Sequence, residues 1–213
     1  MNYQSIIFSR YLGDEQMLKL VSDEALINKM LEFEMALAKA QASIGIIPPH
    51  AADEINSVLS QLKINPVDLA EGTLQNGIPV ISLLSLAKEK LTADTKKHLH
   101  YGATSQDAMD TAQSLMIKDV MSVIEQRMNT LIQNLTQLYS KYGDTPCMAH
   151  TRGQQAIPIT FGFKVNVWIQ PLKRQLQRLA EIKQRVLQVQ LGGAAGTLSV
   201  YPGKAEQIGR AHV

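Results

Sequence analysis

A single cysteine, Cys147, stands in 213 residues, which excludes an internal disulfide and suits a reducing compartment. Charge of one sign is equally scarce: 21 Lys and Arg against 19 Asp and Glu leave a formal net charge of +2. That balance is too small to imply a nucleic-acid partner, and no basic run interleaves with aromatics. No apolar run approaches the ~20 residues of a membrane span. Ile6-Ile7-Phe8 is too short an apolar core for a signal peptide ahead of Asp14. No His, Cys and carboxylate spacing suggests a metal site. There is neither an internal repeat nor a low-complexity segment. These absences predict a cytoplasmic globular protein with no metal, no cofactor, no nucleic acid and no membrane partner.

What is present is helical periodicity. Ser22-Asp23-Glu24 offers a cap and first-turn acids. Ile27, Met30, Leu31, Met35, Ala38 and Ala42 then line one face until Gly45 and Pro48-Pro49. Ile55, Val58, Leu59 and Leu62 mark a second helix, and Pro66 to Asn76-Gly77 a short third. Pro79 suits a first helical position ahead of Val80, Leu84, Ala87 and Leu91. From Gln106 to Tyr142 there is neither Gly nor Pro, and Ile124, Met128, Leu131, Leu135, Leu138 and Tyr142 form a heptad-like seam. About 37 residues would make a helix of roughly 55 Å. Gly143 and Pro146 stop it. A second long helix is expected from about Pro158 to Gln190, kinked at Pro171, and a last one after Gly196. The predicted fold is all-α, with a helical N-terminal domain over 1–104 and the first part of a long-helix bundle over 105–213. Apolar seams of this length call for partner helices, supplied by other subunits.

Three short blocks carry the chemistry. In His100-Tyr101-Gly102-Ala103-Thr104-Ser105-Gln106-Asp107, Ser105 is a good N-cap, Asp107 suits a first turn and Gly102 permits a bend. The same residues place two hydroxyls and an imidazole where helix N-terminal N–H groups point, an arrangement that holds carboxylates. The second block, from Thr151-Arg152-Gly153-Gln154-Gln155 to Lys164, reads either as a turn capping the next helix or as a second polar binding element. The third, Gly192-Gly193-Ala194-Ala195-Gly196-Thr197, is Gly-rich, yet no Lys-Ser/Thr pair or preceding strand completes a P-loop. It reads as a loop where helices meet closely, with Thr197 as a contributor to the site.

In this order the blocks resemble those of the fumarase/aspartase superfamily, over about residues 14 to 200, and most of all its 3-carboxy-cis,cis-muconate cycloisomerase branch. The resemblance implies that Thr104 and Ser105 bind a substrate carboxylate. In most of the superfamily the second block reads Thr-His-x-Gln, its His serving acid/base chemistry. Here Arg152 stands in that place, Gln154 matches, and His150 lies two residues earlier, where relatives often carry Arg. A guanidinium cannot give up its proton near neutral pH. Arg152 is therefore expected to clamp a carboxylate, leaving His100 and His150 as acid/base candidates. The implied reaction is lactonisation of a tricarboxylate in protocatechuate breakdown (the β-ketoadipate route), by a homotetramer without metal or organic cofactor.

The superfamily's mobile Gly-Ser-Ser-x-Met-Pro-x-Lys-x-Asn loop, which supplies the Ser base, has no counterpart; no Ser-Ser pair occurs anywhere. Members are roughly twice as long, so the chain is expected to be the N-terminal half of such an enzyme and inactive alone. Two rivals stand beside this reading. An adenylosuccinate lyase would want a His in Asn76-Gly77-Ile78-Pro79-Val80-Ile81, which has none, and a phosphate site, for which only Arg10 offers itself. A non-catalytic helical assembly module would explain the missing Ser loop.

Overall fold

Helix α1 (Glu15–Leu20) opens the described part of the chain, its first turn capped by the Asp14 carboxylate, which accepts from the N–H groups of Gln16 and Met17. The computed structural model describes residues 11, 13–204, 207 and 208; Arg10 and His212 lie outside them. Ser22 caps α2 (Asp23–Ser43), its hydroxyl accepting from the Ala25 N–H. The stop is built as expected. Gly45 takes φ 69°, and the N–H groups of Gly45 and Ile46 bond back to the carbonyls of Ala42 and Gln41, the double closure of a Schellman motif. Helices α3 (Pro49–Gln61), α4 (Val67–Asn76) and α5 (Val80–Glu89) follow, then a 3-10 turn, Thr95–His98. Pro49 opens α3, while Pro79 stands at the N-cap of α5, one residue ahead of its assigned start.

The chain divides into two compact units: residues up to 117 together with those from 187 on, and Lys118–Val186. The core of the first gathers α2, α3, α5 and the start of α6. The expected stripe of α2 is only part of what it buries. Phe33, Glu34, Leu37 and Gln41 are also buried, so α2 is enclosed on more than one face and carries two polar side chains inside. Glu54 of α3 ties down the α5–3-10 connection, accepting from the Thr95 hydroxyl at 2.5 Å and from the N–H and hydroxyl of Thr92. Those bonds, Thr95's foremost, hold the Glu54 carboxyl below its usual range.

Helix α6 (Ser105–Tyr142) is continuous over 38 residues, about 57 Å at 1.5 Å per residue. Its buried residues cluster early: Ala108, Ala112 and Met121 among the apolar ones, with Asp107 and Thr111 beside them. Farther along, the seam residues Ile124, Leu131, Leu138 and Tyr142 are exposed.

Two expectations need correction. The segment after Gly143 is not a helix entry but an antiparallel hairpin, β1 (Pro146–Thr151) and β2 (Gln154–Thr160), and α7 spans Phe161–Val186 rather than starting at Pro158. A short apolar run such as Ala156–Ile159 cannot be told from helix by periodicity when a true helix follows it. Pro158 is tolerated in a two-stranded ladder, where one side of each strand lacks a neighbour. The Thr160 hydroxyl accepts from the Phe163 N–H and starts α7, which runs through Pro171. Residues 207 and 208 are helical, as expected of a last helix after Gly196, but residues 197–204 form turns and bends ahead of it. The backbone there is spent on carrying Tyr201 into the core, where it is 2% exposed. The fold is otherwise all-α, as the periodicity predicts.

Candidate active site

The loop between the 3-10 turn and α6 is held in a strained shape by several tethers. His100 sits at φ 61° and Gly102 at φ 71°, both in the left-handed region that costs ordinary residues about 1–2 kcal/mol. A Cβ on Gly102 would lie 2.5 Å from the Tyr201 hydroxyl, so only glycine fits. The Tyr101 carbonyl accepts twice, from Gln41 Nε2 and from the Tyr201 hydroxyl, each at 2.6 Å. Gln41 Nε2 also donates to Tyr201 Oη at 2.9 Å. Burial pushes the Tyr201 phenol up to about 12, which keeps it a donor at any ordinary pH. His100 Nδ1 meets Glu34 Oε1 at 2.6 Å.

Asp107 is the centre of this arrangement. It is 1% exposed, and its two oxygens take three backbone N–H groups at 2.9 Å: Gly192 on Oδ1, Gly193 and Thr104 on Oδ2. The bond back to Thr104 is the N3-to-N-cap half of a capping box. The other two dock the Gly-rich third block onto the first. One helical turn on, the Thr111 hydroxyl exchanges bonds with the N–H and carbonyl of Gln190.

So held, His100, Thr104 and Ser105 line an open depression of about 450 Å³ with Ala103 and with Ile81, Leu84, Ser85 and Lys88 of α5. An ammonium, hydroxyls and an imidazole at a helix N-terminus form a surface suited to a carboxylate. Thr197, from the third block, sits exposed on a turn.

The remaining site residues belong to the second unit. Thr151 pairs with Gln154 across a two-residue turn, whose central residues Arg152 and Gly153 take φ 40° and 81°. Both positive is the type I′ pattern. Arg152 and Gln154 are thus exposed at the hairpin tip, and Arg152 has no ion-pair partner among the described residues. His150 lies on β1, beside a register shift between Met148 and His150. It borders a smaller, mostly apolar depression of about 290 Å³ with Met148, Ile159, Phe163 and Trp168.

Sequence reasoning missed Lys88, Glu34 and the central part played by Asp107. Lys88 is four residues beyond Leu84, on the α5 face that borders the Thr104–Ser105 loop, a relation visible only once the loop is placed. Glu34 had a signal: an acid inside the run Leu31 to Leu37 on a helix too apolar to be one-sided. Among the described residues, no group of His, Cys, Asp and Glu is disposed to hold a metal ion. No helix there is long and apolar enough to cross a membrane.

The family model for lyases matches residues 11–210. The chain belongs to this lyase family, within the fumarase/aspartase superfamily. It is 35% identical to an adenylosuccinate lyase of Methanocaldococcus jannaschii, over 92% of this chain and 42% of that protein. It is 34% identical to a 3-carboxy-cis,cis-muconate cycloisomerase of Acinetobacter baylyi, over 92% and 44% respectively. The crystal structure of the 3-carboxy-cis,cis-muconate lactonizing enzyme from Pseudomonas putida superposes with a TM-score of 0.91 at 33% identity, covering 98% of this chain and 48% of that one. The chain thus spans about half the length of the lyase-family relatives it matches.

Proposed function

We propose that this chain is the N-terminal half of a cytoplasmic enzyme resembling 3-carboxy-cis,cis-muconate cycloisomerase, which binds a small polycarboxylate and closes it to a lactone. The observation that carries this reading is the grouping of Lys88, Thr104, Ser105 and His100 around one depression at the start of α6. In the reaction a carboxylate oxygen bonds to one carbon of a conjugated double bond. The π pair shifts toward the neighbouring carbon, which takes a proton; nothing is oxidised or reduced. The protein must hold several carboxylates, deliver one proton and stabilise the charge that develops. In the first unit Lys88, Thr104 and Ser105 hold a carboxylate, with Thr197 as a further contact; in the second unit Arg152 and Gln154 make up a separate carboxylate-binding element. His100 or His150 delivers the proton.

The apolar residues left exposed on α6 and α7, among them Leu131, Leu138, Phe163 and Trp168, support a homo-oligomer, a tetramer by the resemblance. With no Ser loop in its sequence, the chain alone is expected to turn over nothing.

Similarity does not choose the substrate, since an adenylosuccinate lyase and a cycloisomerase are matched at 35% and 34% identity. The choice rests on the segment 76–81, which lacks the His expected of the nucleotide enzyme. The test is to assay the protein extended through a second half with both substrates. Saturable lactone formation supports the reading. Fumarate release from adenylosuccinate alone overturns it in favour of the lyase, and turnover of neither favours a non-catalytic assembly module.

A further inference from the structure

We infer that Glu34 is a positioning residue for His100, fixing the imidazole with Nδ1 toward α2 and leaving Nε2 as the nitrogen available to the Thr104–Ser105 depression. Glu34 sits inside α2 with its side chain 1% exposed, against 13% for His100. One of its oxygens meets His100 Nδ1 at 2.6 Å; the other has no hydrogen-bond partner among the described residues. Burying a carboxylate is costly unless it is paired, and here the pairing is with one ring nitrogen. A residue serving only to fill space would be apolar at this position, as its neighbours Phe33 and Leu37 are.

The geometry has a chemical consequence. A carboxylate can only accept, so Nδ1 carries the hydrogen and neutral His100 presents a bare Nε2 to the depression. A proton taken up at Nε2 then faces the bound carboxylate while Glu34 balances the ring's charge from behind. The same helix face holds the next residue too, through Gln41 Nε2 and the Tyr101 carbonyl. Two consecutive loop residues are therefore fastened to one rigid helix seven residues apart, which keeps the ring in place despite the strained φ of His100.

The consequence for catalysis rests on the proposed reading of the depression; the tautomer does not. The experiment labels the ring nitrogens of histidine with 15N in this chain and assigns His100 by its loss in His100→Asn. The wild type should show His100 protonated at Nδ1, and Glu34→Gln and Glu34→Leu should move it toward the Nε2–H form. An Nε2–H ring in the wild type, or a spectrum indifferent to both substitutions, overturns the inference. In the protein extended through a second half, Glu34→Gln should lower kcat about 10- to 100-fold, as losses of residues that orient a working group do. KM should change little, and the limb of the pH profile set by His100 should shift. Unchanged kcat and pH profile in an active enzyme also overturn it. If the wild type turns over nothing while the spectra behave as stated, the functional reading fails and the placement of His100 by Glu34 stands.

Discussion

Replacing Asp107 by Ala removes the acceptor of three backbone N–H groups at once, those of Thr104, Gly192 and Gly193. Two effects of very different size compete to explain why an acid stands there. As a first-turn acid, Asp107 would interact with the N-terminal dipole of α6 for about 0.3–1 kcal/mol. As the clasp between two loops, it leaves three donors without partners when truncated, each costing about 1–3 kcal/mol. The loops can drift toward water and recover part of this, so the lower end applies to each. The expected loss is about 3–5 kcal/mol, which for a chain of this size lowers Tm by roughly 6–20 °C. Asp107→Asn keeps one accepting oxygen but turns an NH₂ toward a backbone donor, and should fall between the wild type and Ala.

Chemical denaturation measures the total, and hydrogen exchange locates it. The amides of Thr104, Gly192 and Gly193 should lose protection in Asp107→Ala, while those of the core helices α2 and α3 change only with global stability. A loss below about 1 kcal/mol, with those three amides still protected, would refute the clasp and return Asp107 to a simple helix-start acid.

Tyr201→Phe removes a hydroxyl that donates to the Tyr101 carbonyl and accepts from Gln41, and should cost about 1–2 kcal/mol. The unfolded phenol gives up its proton near 10.0 and the folded one near 12. The wild type therefore loses stability as pH rises through that window, and the gap to Tyr201→Phe in denaturant titrations should narrow from pH 9 to pH 12. Arg152→Ala, at an exposed turn, should change stability by no more than about 0.5 kcal/mol. In the extended enzyme it should cut kcat/KM severely, because truncating one partner of a buried charge pair costs about 2–5 kcal/mol; Arg152→Lys should restore only part. Near-normal kcat/KM in Arg152→Ala would remove the clamp from the proposal. Light scattering should find this chain as a dimer or larger, and a well-folded monomer at high concentration would count against the oligomer.

The elements legible in the sequence are those whose signals are local. Ser22 and Gly45 bracket α2, and the long stretch without Gly or Pro before Gly143 is α6, because caps and breakers act within one turn of where they stand. The hairpin was hidden for an equally local reason. Arg152-Gly153 is not one of the Asn-Gly or Asp-Gly pairs that mark a two-residue turn, and the apolar run behind it flows without a break into the apolar period of α7. Thr104 and Ser105 could be picked out only through the family resemblance, because hydroxyls ahead of a helix are also its ordinary caps. What holds them could not. Gln41 and Asp107 look like surface residues, and Glu34 only like an acid out of place in an apolar run, until partners 60, 85 and 66 positions away are placed beside them.

That separation carries a physical point about the site. A loop bearing two left-handed residues, His100 and Gly102, would relax if only its neighbours in sequence held it. It is held instead by groups on α2, by Tyr201 and by the third block, all of which must fold first or together with it. Groups fixed in this way would lose little freedom on binding the proposed carboxylate, so more of each hydrogen bond would remain as affinity. The Gly-rich third block, for which the sequence suggested a close helix contact and a contribution from Thr197, thereby also acts on Thr104 through Asp107.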